Sequence, residues 1–252
     1  MIFAANWKMH VTPAEARAFA DVFLARVPAA EGRTLAFFPS AVALESAAAA
    51  FKGRGDVIVG AQDVHWEPKG AFTGATSVGL AASAGARCAL VGHSERRHVF
   101  GESDEDTRRK VRALFDGGLV PFICVGEKLE EREAGKTNSV VLRQLAAAIK
   151  GLSSDELGRL VVAYEPVWAI GTGKNATPDD ASEVHSAIRE AVGTRLVPIL
   201  YGGSVNKGNV AALLSRPEID GVLVGGASLD AAGWAEVVTL GTQAKVDAGP
   251  KG

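Results

Sequence analysis

Apolar residues follow two alternating rhythms along this chain. Short continuous apolar runs recur at 2–6, 35–38, 57–60, 88–91, 120–125, 160–164, 197–200 and 221–224. Between them the pattern becomes amphipathic, with the spacing of one face of a helix. Continuous runs, as opposed to alternating ones, suit parallel strands covered on both faces. The intervening stretches carry helix start signals. Thr12-Pro13-Ala14-Glu15 offers a capping hydroxyl, a proline at the first helical position and a glutamate three residues after the cap. Thr177-Pro178-Asp179-Asp180 repeats that pattern with aspartate, and Ser103-Asp104-Glu105-Asp106 sets acids where a helix N-terminus favours them.

Eight strand-then-helix units, each about thirty residues long, follow one another without a long linker or a break in composition. That predicts an α/β protein with a single (βα)8 barrel spanning residues 1–252, an open doubly wound sheet being the alternative. The tail 242–252 is small and polar and ends Gly-Pro-Lys-Gly, so it is expected to fray.

Composition narrows the functional classes. The 27 basic and 29 acidic side chains leave a formal charge of −2, with no basic excess for nucleic acid and no cationic amphipathic face for a membrane. The first residues lack a basic leader and do not read as a signal peptide. No apolar run has the length of a membrane span. Cys88 and Cys124 both fall in strand-like runs, which fits reduced thiols and a cytoplasmic location.

In a barrel the chemistry gathers where strands end. That rule selects Asn6, Trp7 and Lys8 after the first run, His93 after the fourth and Gly126-Glu127 after the fifth. Glu165 follows the sixth, Gly202-Gly203-Ser204 the seventh and Gly225-Gly226 the eighth. The stretch Glu165-Pro166-Val167-Trp168-Ala169-Ile170-Gly171 reads as a lone carboxylate followed by an apolar flap that could exclude water and strengthen a base. The plainer reading is a strand-end glutamate in a solvated loop. The two glycine turns could cradle a phosphate on backbone amides, or could be ordinary tight turns. Lys8 could neutralise an anion, although its spacing alone favours a surface lysine. His93 opens a helical turn, and that position disfavours the imidazolium and keeps the ring neutral. Metal-ligand spacings, nucleotide-binding loops and a serine-nucleophile elbow are all missing, so cofactor-free chemistry without a metal is expected.

Several strings together resemble the triosephosphate isomerase family. They are Asn6-Trp7-Lys8-Met9, Gly70-Ala71-Phe72-Thr73-Gly74, Gly92-His93-Ser94-Glu95-Arg96-Arg97 and Cys124-Val125-Gly126-Glu127. The base-and-flap segment, Tyr201-Gly202-Gly203-Ser204-Val205 and Leu223-Val224-Gly225-Gly226-Ala227 complete the set, which runs from about residue 2 to 240. The resemblance implies cofactor-free interconversion of dihydroxyacetone phosphate and D-glyceraldehyde 3-phosphate through an enediolate. It makes Glu165 the base, His93 the neutral electrophile, Lys8 the fixed cation and Asn6 a hydrogen-bonding partner. It puts Gly171, Ser204, Gly225 and Gly226 on the phosphate and Glu95 behind Lys8. Residues 166–176 become a closing lid, and Cys124 a packing residue near the base.

The resemblance also implies a homodimer formed through the loop 62–76, with Thr73 and Arg96 at the contact. Ala75 departs from the family's usual glutamate, which would meet Arg96, so an Arg96–Glu102 pair within one chain is expected. Asp63, Val99 and Asn175 are further departures from the family pattern. The alternatives are another phosphate-binding barrel with isomerase or aldolase activity, or a barrel that serves only as a binding scaffold.

Overall fold

A computed structural model of the chain describes residues 1–170 and 176–249. Eight parallel strands close on themselves in chain order: β1 Ile2–Asn6, β2 Thr34–Phe38, β3 Val57–Ala61, β4 Cys88–Val91, β5 Val120–Val125, β6 Val161–Tyr164, β7 Ile199–Tyr201 and β8 Gly221–Val224. Register runs Ile2 against Thr34 on one side of β1 and Ile2 against Gly221 on the other, so the ring leaves no free edge.

Alternation along each strand divides the core in two. Ala4, Ala36, Phe38, Leu90, Phe122, Cys124, Ala163, Leu200 and Leu223 fill the barrel, small residues beside large ones. Their neighbours Phe3, Ala5, Leu35, Phe37, Ile123, Val125 and Val162 face outward into the layer beneath the helices. Every strand is therefore apolar on both faces, which is why the sequence shows continuous runs.

The helix caps form as the start signals indicate. Thr12 and Glu15 make a reciprocal capping box before the helix Pro13–Leu24, Ser103 and Asp106 before Asp104–Asp116, and Thr177 and Asp180 before Pro178–Val192. Two expectations need correction. The seventh strand begins at Ile199 and not Val197, because Pro198 has no N–H to give to the ladder. The chain beyond Thr242 does not fray at that point. It continues the helix Ala231–Asp247, with Lys245 Nζ donating to the carbonyls of Arg216 and Ile219 at 3.0 and 2.8 Å. Residues 250–252 lie outside the described residues.

One buried group gives the fold a pH dependence. His185, on the helix Pro178–Val192, is fully buried, with Nδ1 3.3 Å from the Glu218 carbonyl and Nε2 without a partner among the described residues. Burial pushes its pKa down to about 4. An unfolded histidine titrates near ~6.5, so between those values the unfolded chain binds the extra proton. Stability is therefore complete above that range and falls as pH drops through it, by roughly 3 kcal/mol in all. His185→Asn keeps a donor for Glu218 and loses the titration. Denaturant midpoints measured across the window should slope for the parent and lie flatter for the variant, and equal slopes would remove His185 from this role.

Candidate active site

The C-terminal ends of the strands surround a cavity of about 310 Å³. Asn6, Lys8, His93 and Glu165 line one part of it, and Gly202, Gly203, Ser204, Gly225 and Gly226 line the other. Ile170 lines it as well, while Gly171 and the rest of 171–175, part of the expected lid 166–176, fall outside the described residues. One part thus carries side-chain charge and the other mostly exposes main chain, as an anion site at glycine turns requires.

Lys8 has a left-handed backbone, with φ 50°, a conformation that is costly for any residue with a Cβ. Side chains hold both of its peptide groups. Its N–H donates to Asn6 Oδ1 at 3.0 Å, and its carbonyl accepts from Gln62 Nε2 at 2.8 Å. Gln62 also donates to the Phe38 carbonyl at 2.8 Å, so one amide links β1 and β2 to the loop after β3. The Lys8 ammonium meets Glu95 Oε1 at 2.6 Å.

His93 caps the short helix Ser94–His98, and its Nδ1 accepts the Glu95 N–H at 3.2 Å. A nitrogen that accepts cannot carry the proton, which assigns the hydrogen to Nε2. Nε2 in turn lies 3.0 Å from Glu165 Oε1. Asn6 Nδ2, 3.2 Å from the same nitrogen, keeps its donors for a ligand oxygen. Burial disfavours a second proton on His93, but the facing Glu165 charge outweighs it and raises the pKa above the ordinary histidine value. The neutral ring expected from the helix start therefore has the Glu95 amide in its favour and the Glu165 carboxylate against it.

Glu165 is 2% exposed. Its Oε2 accepts the Ser94 N–H at 2.8 Å, and its own N–H donates to the Val125 carbonyl at 2.8 Å. Burial alone would raise its pKa, but His93, the Ser94 amide and Lys8 hold it below the usual carboxylate value. Two glycines leave room for it. A Cβ on Gly202 would stand 2.9 Å from Glu165 Cγ, and a Cβ on Gly126 only 1.8 Å from the Glu165 carbonyl oxygen. Cys124 is wholly buried in the barrel interior, and burial pushes its thiol far up, which suits packing over reactivity.

Thr73 and Arg96 lie outside this cavity. Thr73 is exposed on the loop after β3. The Arg96–Glu102 pair forms at 3.4 Å, and Asp63 joins it at 3.1 Å from Arg96. Lys110, buried on the helix Asp104–Asp116, binds both acids at 2.6 Å. Glu102 Oε1 also accepts the Gly92 N–H at 2.8 Å, directly ahead of His93. Sequence reasoning overlooked Gln62. It also gave no role to Glu127, whose fully buried carboxylate accepts from Tyr164 Oη at 3.1 Å and Trp168 Nε1 at 2.9 Å. The position of Glu127 after a strand was its only signal.

The sequence profile of the triosephosphate isomerase family matches residues 1–240. A triosephosphate isomerase from Symbiobacterium thermophilum is 45% identical over 251 residues, which is 97% of this chain and 98% of the relative. Another from Pelobacter propionicus is 47% identical over 246 residues, 95% and 98% of the two chains. A closed barrel, a strand-end site and likeness across nearly the whole length agree, and the chain belongs to the triosephosphate isomerase family.

Proposed function

We propose that this chain interconverts dihydroxyacetone phosphate and D-glyceraldehyde 3-phosphate without a cofactor, as a cytoplasmic homodimer. The observation that carries the reading is one cavity with a buried carboxylate, a histidine and a lysine on one part and glycine-turn main chain on the other. Glu165 takes the proton from one substrate carbon and returns it to the next. His93, through Nε2–H, and Asn6, through its amide, stabilise the oxygens as negative charge develops on them, and the His93 ring passes the hydroxyl proton from one oxygen to the other. Lys8 supplies a fixed cation, backed by Glu95. Ser204, Gly225 and Gly226, with Gly171, receive the phosphate.

In the free site both Glu165 oxygens are occupied, by His93 and by the Ser94 amide. A ligand oxygen that takes over the His93 proton releases one of them. Loss of the Ser94 contact and exclusion of water would then raise the basicity of the carboxylate. Closure of residues 166–176 over the cavity serves that purpose and shelters the enediolate.

The aldolase reading finds no support. It needs a free amine, and Lys8, the strand-end lysine of this cavity, is held in an ion pair with Glu95. The dimer reading rests on exposed apolar residues, Met9 at 94%, Val99 at 72%, Phe100 at 66% and Phe72 at 44%. Among the described residues no helix is long and apolar enough to cross a membrane. A coupled assay on the purified chain, with each triose phosphate in turn, tests the activity. Sedimentation of the same sample tests the assembly. Turnover of both substrates at dimer mass is expected. A chain without turnover defeats the proposed reaction, and full activity at monomer mass defeats the proposed assembly.

A further inference from the structure

The helix Thr137–Ile149 turns one glutamine, Gln144, into the interior, where it is 4% exposed. A buried primary amide needs partners for its donors and its acceptor. Gln144 finds both on a single residue. Its Oε1 accepts the Gly126 N–H at 2.8 Å and its Nε2 donates to the Gly126 carbonyl at 3.1 Å. Gly126 follows the last residue of β5, so these peptide groups have left the strand and the glutamine clamps them from behind.

Gly126 is also where the chain of Glu165 rests. A Cβ there would come within 1.8 Å of the Glu165 carbonyl oxygen, so the two backbones touch. The residues on either side of Gly126 bind the same segment. Glu165 N–H donates to the Val125 carbonyl at 2.8 Å, Val167 N–H to the Glu127 carbonyl at 3.1 Å, and the Trp168 indole to the Glu127 carboxylate at 2.9 Å. Residues 125–127 form the bed for residues 165–168, and Gln144 clamps the centre of that bed.

We infer that Gln144 is a positioning residue for proton transfer: by fixing Gly126 it sets where the main chain of Glu165 lies, and hence how far its carboxylate reaches. The inference rests on Glu165 acting as the base. Displacing a reacting group by about 1 Å can cost roughly 10²-fold in rate, so a clamp on the backbone beneath the base affects turnover directly. Phosphate, held at the glycine turns beyond β7 and β8, should be indifferent to it.

Gln144→Met keeps the length of the side chain and loses both hydrogen bonds. The variant is expected to lose about tenfold or more in kcat, with KM and the competitive inhibition constant of inorganic phosphate changed by less than about twofold. The same substitution in a Glu165→Asp background, where the carboxylate is already withdrawn, should lower kcat by less than about threefold. Gln144→Glu retains the bond from Gly126 N–H and should show the same pattern more weakly. It carries the test under the same criteria if the methionine variant does not fold. Unchanged kcat would overturn the inference. So would parallel changes in KM and phosphate inhibition, or an equal loss in the Glu165→Asp background. Failure of the base assignment itself would appear separately, as near-native kcat in Glu165→Gln with Gln144 intact.

Discussion

Glu165→Gln is expected to lower kcat by roughly 10³-fold or more while the fold and phosphate binding persist. An amide can accept a hydrogen bond but cannot accept the carbon proton. Its single oxygen must also choose between the Ser94 amide and His93 Nε2–H, which now reach separate carboxylate oxygens at 2.8 and 3.0 Å. Whichever is left faces the new NH₂ group, so a modest loss of stability accompanies the loss of turnover. The phosphate end of the cavity, Ser204 with Gly225 and Gly226, is built on β7 and β8 and should be untouched. Steady-state kinetics together with inhibition by inorganic phosphate separate the two ends. Near-native turnover in a folded variant would move the role of base to another group.

Glu102→Ala should be the most damaging change to stability. Glu102 is buried among Lys110, Arg96, Thr107 and the Gly92 amide. Burial would raise its pKa, but Lys110 beside it outweighs burial and the pKa falls below the usual carboxylate value. Removing the carboxylate leaves the Lys110 ammonium, 5% exposed, to Asp63 alone. Breaking a buried pair from one side costs about 3–5 kcal/mol. For a chain of this length that lowers Tm by roughly 10 °C. It also leaves the Gly92 N–H unpaired next to His93, so kcat should fall as well. Lys110→Met added to Glu102→Ala removes the stranded charge and should recover part of the Tm, without recovering kcat. A Tm within a degree or two of the parent for Glu102→Ala alone would show that Asp63 suffices for both cations.

What could be read in the sequence was mostly local. A capping box is written in four consecutive residues, and a doubly covered strand shows as an unbroken apolar run. The strand-end rule then points to Asn6, Lys8, His93 and Glu165, which the fold brings around one cavity. What escaped was tertiary. Thr242 to Asp247 look like a loose tail, yet the segment stays helical because Lys245 reaches two carbonyls at Arg216 and Ile219. Gln62 and Gln144 look like any polar residue of a loop or helix. Their importance lies in partners far along the chain, the Lys8 and Phe38 carbonyls for one and Gly126 for the other. Asp63 could be read only as a departure from a familiar pattern. Its meaning emerges when the fold sets it between Arg96 and Lys110.

That arrangement of Asp63, Arg96 and Glu102 bears on how two copies would hold together. Arg96 satisfies its charge inside its own protomer, and its guanidinium also lies 4.5 Å over the Phe100 ring. Close after it in the chain, Val99 and Phe100 are apolar and exposed. In the proposed dimer, Coulombic attraction between protomers through this face would therefore be a small part of the association, and the screening that weakens exposed ion pairs would have little to act on. Apolar contact weakens on cooling. Added salt should leave the dissociation constant of the proposed dimer nearly unchanged, and chilling should raise it.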